Sequence, residues 1–436
     1  MRIALVASQS SSPSSRVTAG SSQRLSCLAQ AMARLGHQVT VYAPKDSPKL
    51  PRKATLAPGV TIEHLAAGPG GGSSGDGAAL DIPAFSDHLA RRWQQDPPDV
   101  AHAHFWTTGL AALAGARGLN LPVVQAFDSL GAMPAGRSRG ADAPRPAGGT
   151  RRGRDTGRPK GTGQQLARIR LEVGLARNAS AVLATSSDQM TKLAGLGVPR
   201  ASIRVVPWGV DTGQFAPEGP VAKRNGRPRL LAVRESAGAG LDTVVRALAE
   251  VPAVELLIAG GPSGSGPHAD PANQALAALA RQLGVAGRVT FTGEVSRTHL
   301  PALLRSADLL LSGAWEDPFA TVALQAMACG TPVAAAAVGA VGDAVIDGTT
   351  GILVPPGQPS LLAHRIRSLL ASPLQLDAFS VAAVDRARSR YSWDRIGQET
   401  VRAYERCLPH QFPAGADAEE DDRDASQEDP EPSGQG

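Results

Sequence analysis

The sequence predicts an α/β protein built from two doubly wound parallel sheets, and three observations lead to that class. The chain has 436 residues, more than one domain of ~100–200 residues needs. Hydrophobic residues make up 42% and charged residues 19%, a balance that can fill two cores. Short apolar runs alternate with amphipathic stretches in both halves, the pattern of strand, helix and parallel strand.

The elements follow in order. Arg2 to Ala7 contains IALVA and reads as a strand; a Ser/Gly/Pro-rich loop and a helical pattern from about Ser21 to Leu35 follow, stopping at Gly36. Gln38–Tyr42, Val60–His64 and Asp99–His102 read as further strands, with a helix over Phe85–Gln94. Residues 66–80 are rich in Gly, Ser and Ala, and residues 132–163 in Gly, Pro and Arg. Neither carries enough apolar surface to order itself, so both are expected to be mobile loops, with a helix resuming near Gln164. The second winding begins after Pro207. Its strands are Leu230–Val233, Val254–Ala259, Val289–Phe291 and Leu309–Ser312, with helices near 241–250, 273–283 and 298–305. A helix over Thr321–Cys329 closes at Gly330, with Pro332 just beyond. Past Pro409, Asp417–Glu431 holds nine acids and one arginine without apolar periodicity, the composition of a disordered acidic tail.

Composition narrows the function. No stretch reaches the ~18 uncharged apolar residues of a membrane-spanning helix, and the start MRIALVAS lacks the form of a signal peptide, so a cytoplasmic location is expected. Cys27, Cys329 and Cys407 lie far apart, without disulfide or zinc spacing, and read as small hydrophobes. The net charge of +5 hides two opposites. The tail carries −8, while Arg137–Lys160 holds eight basic residues against Asp142 and Asp155. Aromatics are only 4% and do not interleave with the arginines, which argues against nucleic acid. The basic segment reads first as a solvated loop, with an anionic or lipid-linked acceptor or the acidic tail as its possible partners.

The most informative segment is WEDPFATVALQAMACGTPVAAAAVGAVGDAVIDGTTGILVPPG, Trp315 to Gly357. HAHFW at His102–Trp106, VVPWGVD at Val205–Asp211, IAGGP at Ile258–Pro262 and RYSW at Arg390–Trp393 accompany it. This ordered set, over roughly residues 1–408, resembles the retaining family 4 glycosyltransferases. The resemblance implies the GT-B fold, two Rossmann-like domains facing across a cleft. Residues 1–206 would form the acceptor-side domain, 207–388 the nucleotide-sugar domain, 389–408 a helix returning to the first domain, and 409–436 the tail. It implies a hexosyl group moved from a nucleotide sugar to a hydroxyl acceptor with retention of configuration. No metal or other cofactor is implied, because helix amides and basic side chains can neutralise the leaving diphosphate. The alternative is a catalytically silent paralogue that keeps the scaffold as a ligand-binding or protein-interaction module.

The resemblance also places site residues. Asp317, Pro318, Phe319 and Ala320 occupy the donor loop, where the family has Glu-Pro-Phe-Gly; Thr321 opens the helix aimed at the diphosphate, and Gln325 stands where a second glutamate holds ribose. Arg234 matches the first cation of the phosphate clamp, whereas Ala239 stands at the lysine position. Gly260 and Gly261 form a loop in the cleft, and Gly20, after Ala19, keeps half of a Gly-Gly pair beside the phosphate. Asp128 replaces a histidine at the reacting centre, and His104 is a sugar or acceptor contact. Glu316 could replace the motif glutamate only if the backbone shifted.

Other positions have simpler readings. His102 reads equally as a satisfied strand-end histidine, and Trp106, Trp208 and Trp315 as packing residues. Asp188 reads as a helix cap, and Arg170 with Glu172 as a surface pair or cleft support.

Overall fold

The computed structural model describes residues 1–8, 21–45, 49–65, 80–131, 161–234, 240–261 and 270–408. The acidic tail, nearly all of both glycine-rich loops, Ala19, Gly20 and Ala239 lie outside the described residues.

The first half contributes β1 (Arg2–Val6), α1 (Ser21–Arg34), β2 (Gln38–Pro44), β3 (Lys53–Ala57), β4 (Val60–Leu65) and α2 (Ile82–Gln95). It continues with β5 (Val100–His104), α3 (Trp106–Gly115), β6 (Val123–Ala126), α4 (Gly161–Asn178), β7 (Ala181–Ala184), α5 (Ser187–Gly195) and β8 (Ile203–Val205). Among the described residues the sheet runs β3-β4-β2-β1-β5-β6-β7-β8. Every pairing is parallel except the edge pair of β3 with β4. That edge strand, KATLA, escaped the sequence reading because its five residues are short and only partly buried.

The second half repeats the plan with β9 (Arg229–Val233), α6 (Leu241–Ala249), β10 (Glu255–Ala259), α7 (Pro271–Gln282), β11 (Val289–Gly293), α8 (Leu300–Arg305) and β12 (Leu309–Ser312). Then come α9 (Thr321–Ala328), β13 (Val333–Ala336), α10 (Val341–Ala344), β14 (Gly351–Val354), α11 (Pro359–Leu370), α12 (Pro373–Tyr391) and α13 (Trp393–Glu405). Its parallel sheet runs β11-β10-β9-β12-β13-β14. In both sheets the winding direction reverses once, between β1 and β5 and between β9 and β12. A crevice opens at such a reversal, outside the carboxyl ends of the strands.

Alternation of side chains builds a core on each face of each sheet. Ile3 and Leu5 face α1 and α13, while Ala4 and Val6 face Phe85, Leu89 and Trp93 of α2. In the second sheet Leu231 and Leu310 pack toward α9, while Leu230, Leu309 and Leu311 pack with α6 and α11.

The chain crosses between the halves twice, at one place. Val210 donates its amide to Tyr391 O at 2.7 Å and bridges Ser392. There α12 ends and α13 leaves for the first domain, where it lies against α1. Gly397 permits that approach, since a Cβ there would meet the Ala31 Cβ at 3.1 Å, and Arg34 pairs with Asp394 at 2.6 Å. No described helix is long and apolar enough to cross a membrane.

Candidate active site

The reversal point of the first sheet places HAHFW at the end of β5. His102 and His104 are both buried, with ring centroids 4.1 Å apart. Tyr404 of α13 shares a 2.6 Å hydrogen bond with His102 Nδ1, so His102 is a satisfied strand-end histidine on that side. His104 faces Trp208, with ring centroids 5.7 Å apart. His102 Nε2, His104 Nε2 and Trp208 Nε1 are buried without a hydrogen-bond partner in the structure. Buried polar atoms are rarely left so, except where a water or ligand completes them.

Burial lowers the His104 pKa to about 4; Asp128 opposes the shift and Arg24 adds to it. The imidazole is therefore neutral at physiological pH. Phe105, the next residue, has φ 89° and ψ 152°, a conformation that costs ~1–3 kcal/mol for a side-chain-bearing residue. Its amide donates to Ala126 O at 3.1 Å, and its carbonyl accepts from Gly109 N at 3.1 Å and Thr108 Oγ1 at 3.0 Å. These bonds fix the turn that aims β5 into α3.

The loop carrying Asp128 is braced from α4. Glu172, 1% exposed, accepts from Gly131 N at 2.7 Å and from Arg168 Nε at 2.8 Å. Arg168 also donates to Ser129. The expected partner Arg170 is exposed. One helical turn separates positions 168 and 172, so Arg168 shares the Glu172 face and position 170 does not. Asp188 is likewise corrected: Ser186 caps α5, accepting from Gln189 N at 3.1 Å, and Asp188 pairs with Lys192 at 2.7 Å.

Across the cleft, the loop after β12 brings Asp317 to Thr321 together. Asp317 Oδ1 accepts from Phe319 N at 3.2 Å and Ala320 N at 2.7 Å. Burial raises its pKa, which those two amides and Arg24 pull back down. One methylene shorter than the family's glutamate, this carboxylate thus bonds its own loop. Glu316 instead sits in the field of Lys192 and Asp188 on α5. No side chain caps α9. Most of that helix is buried; Thr321 and Gln325 are the half-buried positions, four residues apart on one face.

Ala320, where the family has glycine, adopts φ 51° and ψ 31° and is fully buried. Left-handed backbone costs a side-chain-bearing residue ~1–2 kcal/mol, while glycine loses ~0.5–1 kcal/mol in chain entropy. Ala320→Gly is expected to stabilise the protein by about 0.5–1 kcal/mol; equal or lower stability in urea unfolding would refute the strain at this position.

Phe319 reaches the first domain. Its ring lies 6.0 Å from that of Trp208, and the Arg24 guanidinium stands 3.9 Å from its centroid. Trp208, 6% exposed, also packs against Trp393, in keeping with a packing role. Trp315 does not: it is 55% exposed, with its ring against Gly357.

Arg234 follows β9 at the second reversal point. Its Nη1 pairs with Asp270 Oδ2 at 2.5 Å, and the two side chains are 10% and 12% exposed. Gly260 and Gly261, after β10, have φ 98° and 137°. A Cβ on either would stand 2.6 Å from Arg234 O or Nη2 respectively, so only glycine lets this loop close on the arginine. The site residues therefore form two groups: His104, Asp128, Trp208 and Arg24 with the Asp317–Thr321 loop, and Arg234 with Gly260, Gly261 and Asp270.

Sequence reasoning missed Arg24, Asp270 and Tyr404. Asp270-Pro271 is a legible helix start, and Asp270 does cap α7; its pairing with Arg234 has no local signal. Arg24 sits on an apolar-periodic helix and left no mark.

These features define a two-domain protein whose sheet-reversal points face each other across a cleft. The chain matches the glycosyl transferases group 1 family over residues 221–386 and the glycosyl transferase 4-like domain over residues 19–209. A D-inositol 3-phosphate glycosyltransferase of Actinosynnema mirum is 32% identical over 86% of this chain and 89% of that protein. D-inositol 3-phosphate glycosyltransferase 2 of Catenulispora acidiphila is 30% identical over 87% and 88%. The fold is shared with a sucrose-phosphate synthase of Thermosynechococcus elongatus, at TM-score 0.75 and 24% identity over 93% of this chain and 98% of that one. It is also shared with Anabaena HepE, solved with UDP-glucose, at TM-score 0.64 and 19% identity over 93% and 100%. The chain belongs to the group 1 glycosyltransferases, the retaining family 4 enzymes of GT-B fold.

Proposed function

We propose that this glycosyltransferase moves a hexosyl group from a nucleoside-diphosphate sugar to a hydroxyl acceptor, retaining the anomeric configuration. The observation that carries the reading is the closure of the Asp317–Thr321 loop onto the first domain through Phe319, Trp208 and Arg24. Trp208 then lies between Phe319, ahead of α9, and His104, which supports a donor-side helix start near the first domain's histidine. HepE, which shares the fold, was solved with UDP-glucose, which supports a nucleotide sugar as donor.

In this reading Gln325 accepts a hydrogen bond from a ribose hydroxyl, Gly260 and Gly261 let their loop close on Arg234, and Arg234 with the α9 N-terminus stabilises the diphosphate as it departs. Asp317, with Pro318, Phe319 and Ala320, shapes the sugar side. Neutral His104 and Asp128 hold sugar or acceptor hydroxyls, and the acceptor oxygen attacks from the leaving-group side. The relatives named for D-inositol 3-phosphate make an anionic polyol the first acceptor to test.

Thermal unfolding with UDP, GDP and ADP and their sugars tests the donor. One base is expected to stabilise the protein, by about 2.7 kcal/mol at a hundredfold excess over Kd. Sugar released slowly to water should first appear by NMR in the donor's own anomeric form. No response to any nucleotide at millimolar concentration refutes the reading, and binding without turnover indicates the silent paralogue.

A further inference from the structure

We propose that Asp270 is a built-in counter-ion of Arg234, holding the guanidinium until the donor's diphosphate displaces it. The inference rests on the donor reading above. Arg234 lies where an anion would approach, at the carboxyl end of β9 beside the sheet's reversal, yet its side chain is only 10% exposed and already bonded to a carboxylate at 2.5 Å. A diphosphate entering there meets Asp270 as well as Arg234. The two anions repel and compete for one guanidinium, so the carboxylate weakens diphosphate binding by the cost of loosening this pair.

Asp270 has a second partner that does not depend on the arginine. It is the N-cap of α7 (Pro271–Gln282), and its Oδ2 also accepts from Asn273 N at 3.3 Å. The amides and positive end of that helix favour a carboxylate without help from arginine. The backbone of Gly261 runs close beside the guanidinium, since a Cβ added there would stand 2.6 Å from Nη2.

The resemblance implies a clamp lysine where the sequence has Ala239, so in this reading the affinity for diphosphate depends on how firmly Asp270 competes for Arg234. The ion pair thus sets a threshold that a nucleoside or a monophosphate does not overcome.

Asn caps a helix about as well as Asp, so Asp270→Asn removes the charge and keeps the cap; Asp270→Ser, another good cap, is the second variant should the first fold poorly. Calorimetry compares wild type and variant with UDP, GDP, ADP, the corresponding nucleosides and inorganic pyrophosphate. The variant is expected to bind its nucleoside diphosphate and pyrophosphate about tenfold more tightly than wild type, with nucleoside binding unchanged. Equal or weaker diphosphate binding by both variants overturns the proposal and makes Asp270 a support for Arg234. Tighter pyrophosphate binding with no nucleotide bound by either protein upholds the counter-ion and refutes the nucleotide donor. Failure of every phosphate to bind either protein overturns both.

Discussion

Arg234→Ala is expected to lower kcat/KM by about 10²- to 10³-fold, the size of effect found when one preorganised donor to a developing anion is removed, ~2.7–4 kcal/mol. The loss should fall mainly on kcat, because the guanidinium acts on charge that grows as the diphosphate leaves. Alanine also leaves Asp270, 12% exposed, with the α7 amides as its remaining partners, a loss smaller than the ~3–5 kcal/mol of breaking a buried pair whose survivor has no other support. Arg234→Ala with Asp270→Asn separates the two effects: most of the stability should return while the activity stays lost. Recovery of activity in the double variant would show that Arg234 serves only to neutralise Asp270.

Acid should destabilise this protein through its buried histidines. The unfolded chain takes up a proton on each imidazole near pH 6.5, whereas the fold keeps His104 neutral down to about pH 4 because burial penalises the cation. The unfolded state therefore binds more protons between these values. Stability from this group is complete above pH 6.5 and is lost progressively as pH falls toward 4. At ~1.4 kcal/mol per unit, the loss is about 3 kcal/mol. His102, fully buried and beside His104, is shifted the same way and deepens the loss. Urea unfolding at pH 7, 5.5 and 4 measures it, and His104→Asn should flatten the acid limb by its own share. An unchanged limb in that variant would show that His104 takes up its proton alike in the folded and unfolded states.

The apolar runs of β1, β9, β10 and β12 declare themselves because burial on both faces demands nearly uninterrupted hydrophobic residues. The start of α9 was legible from the donor-loop motif, and its stop from Gly330. What stayed hidden were relations between distant residues. Tyr404 meets His102 from 302 positions away, and Asp270 meets Arg234 only because β9 and β10 are neighbours with a glycine pair between them. The direction of a carboxylate is hidden too: the sequence places Asp317 in the donor loop and does not tell that Oδ1 reaches the amides of its own loop. Arg168 rather than Arg170 meets Glu172 for a reason that could have been read, since helix neighbours lie three or four residues apart.

The helix that seals the first sheet follows the whole of the second lobe in the chain. Ile3, Leu5 and Val100 share their core with Trp393, Ile396 and Tyr404 of α13, so the amino-terminal lobe cannot be completed when its own strands have emerged. At ~5–20 residues per second of synthesis, the roughly 200 residues between β8 and Tyr404 leave that face without its cover for ~10–40 s. The lobe made first is finished last, and its open side is the surface that a chaperone or a protease would meet in a nascent chain.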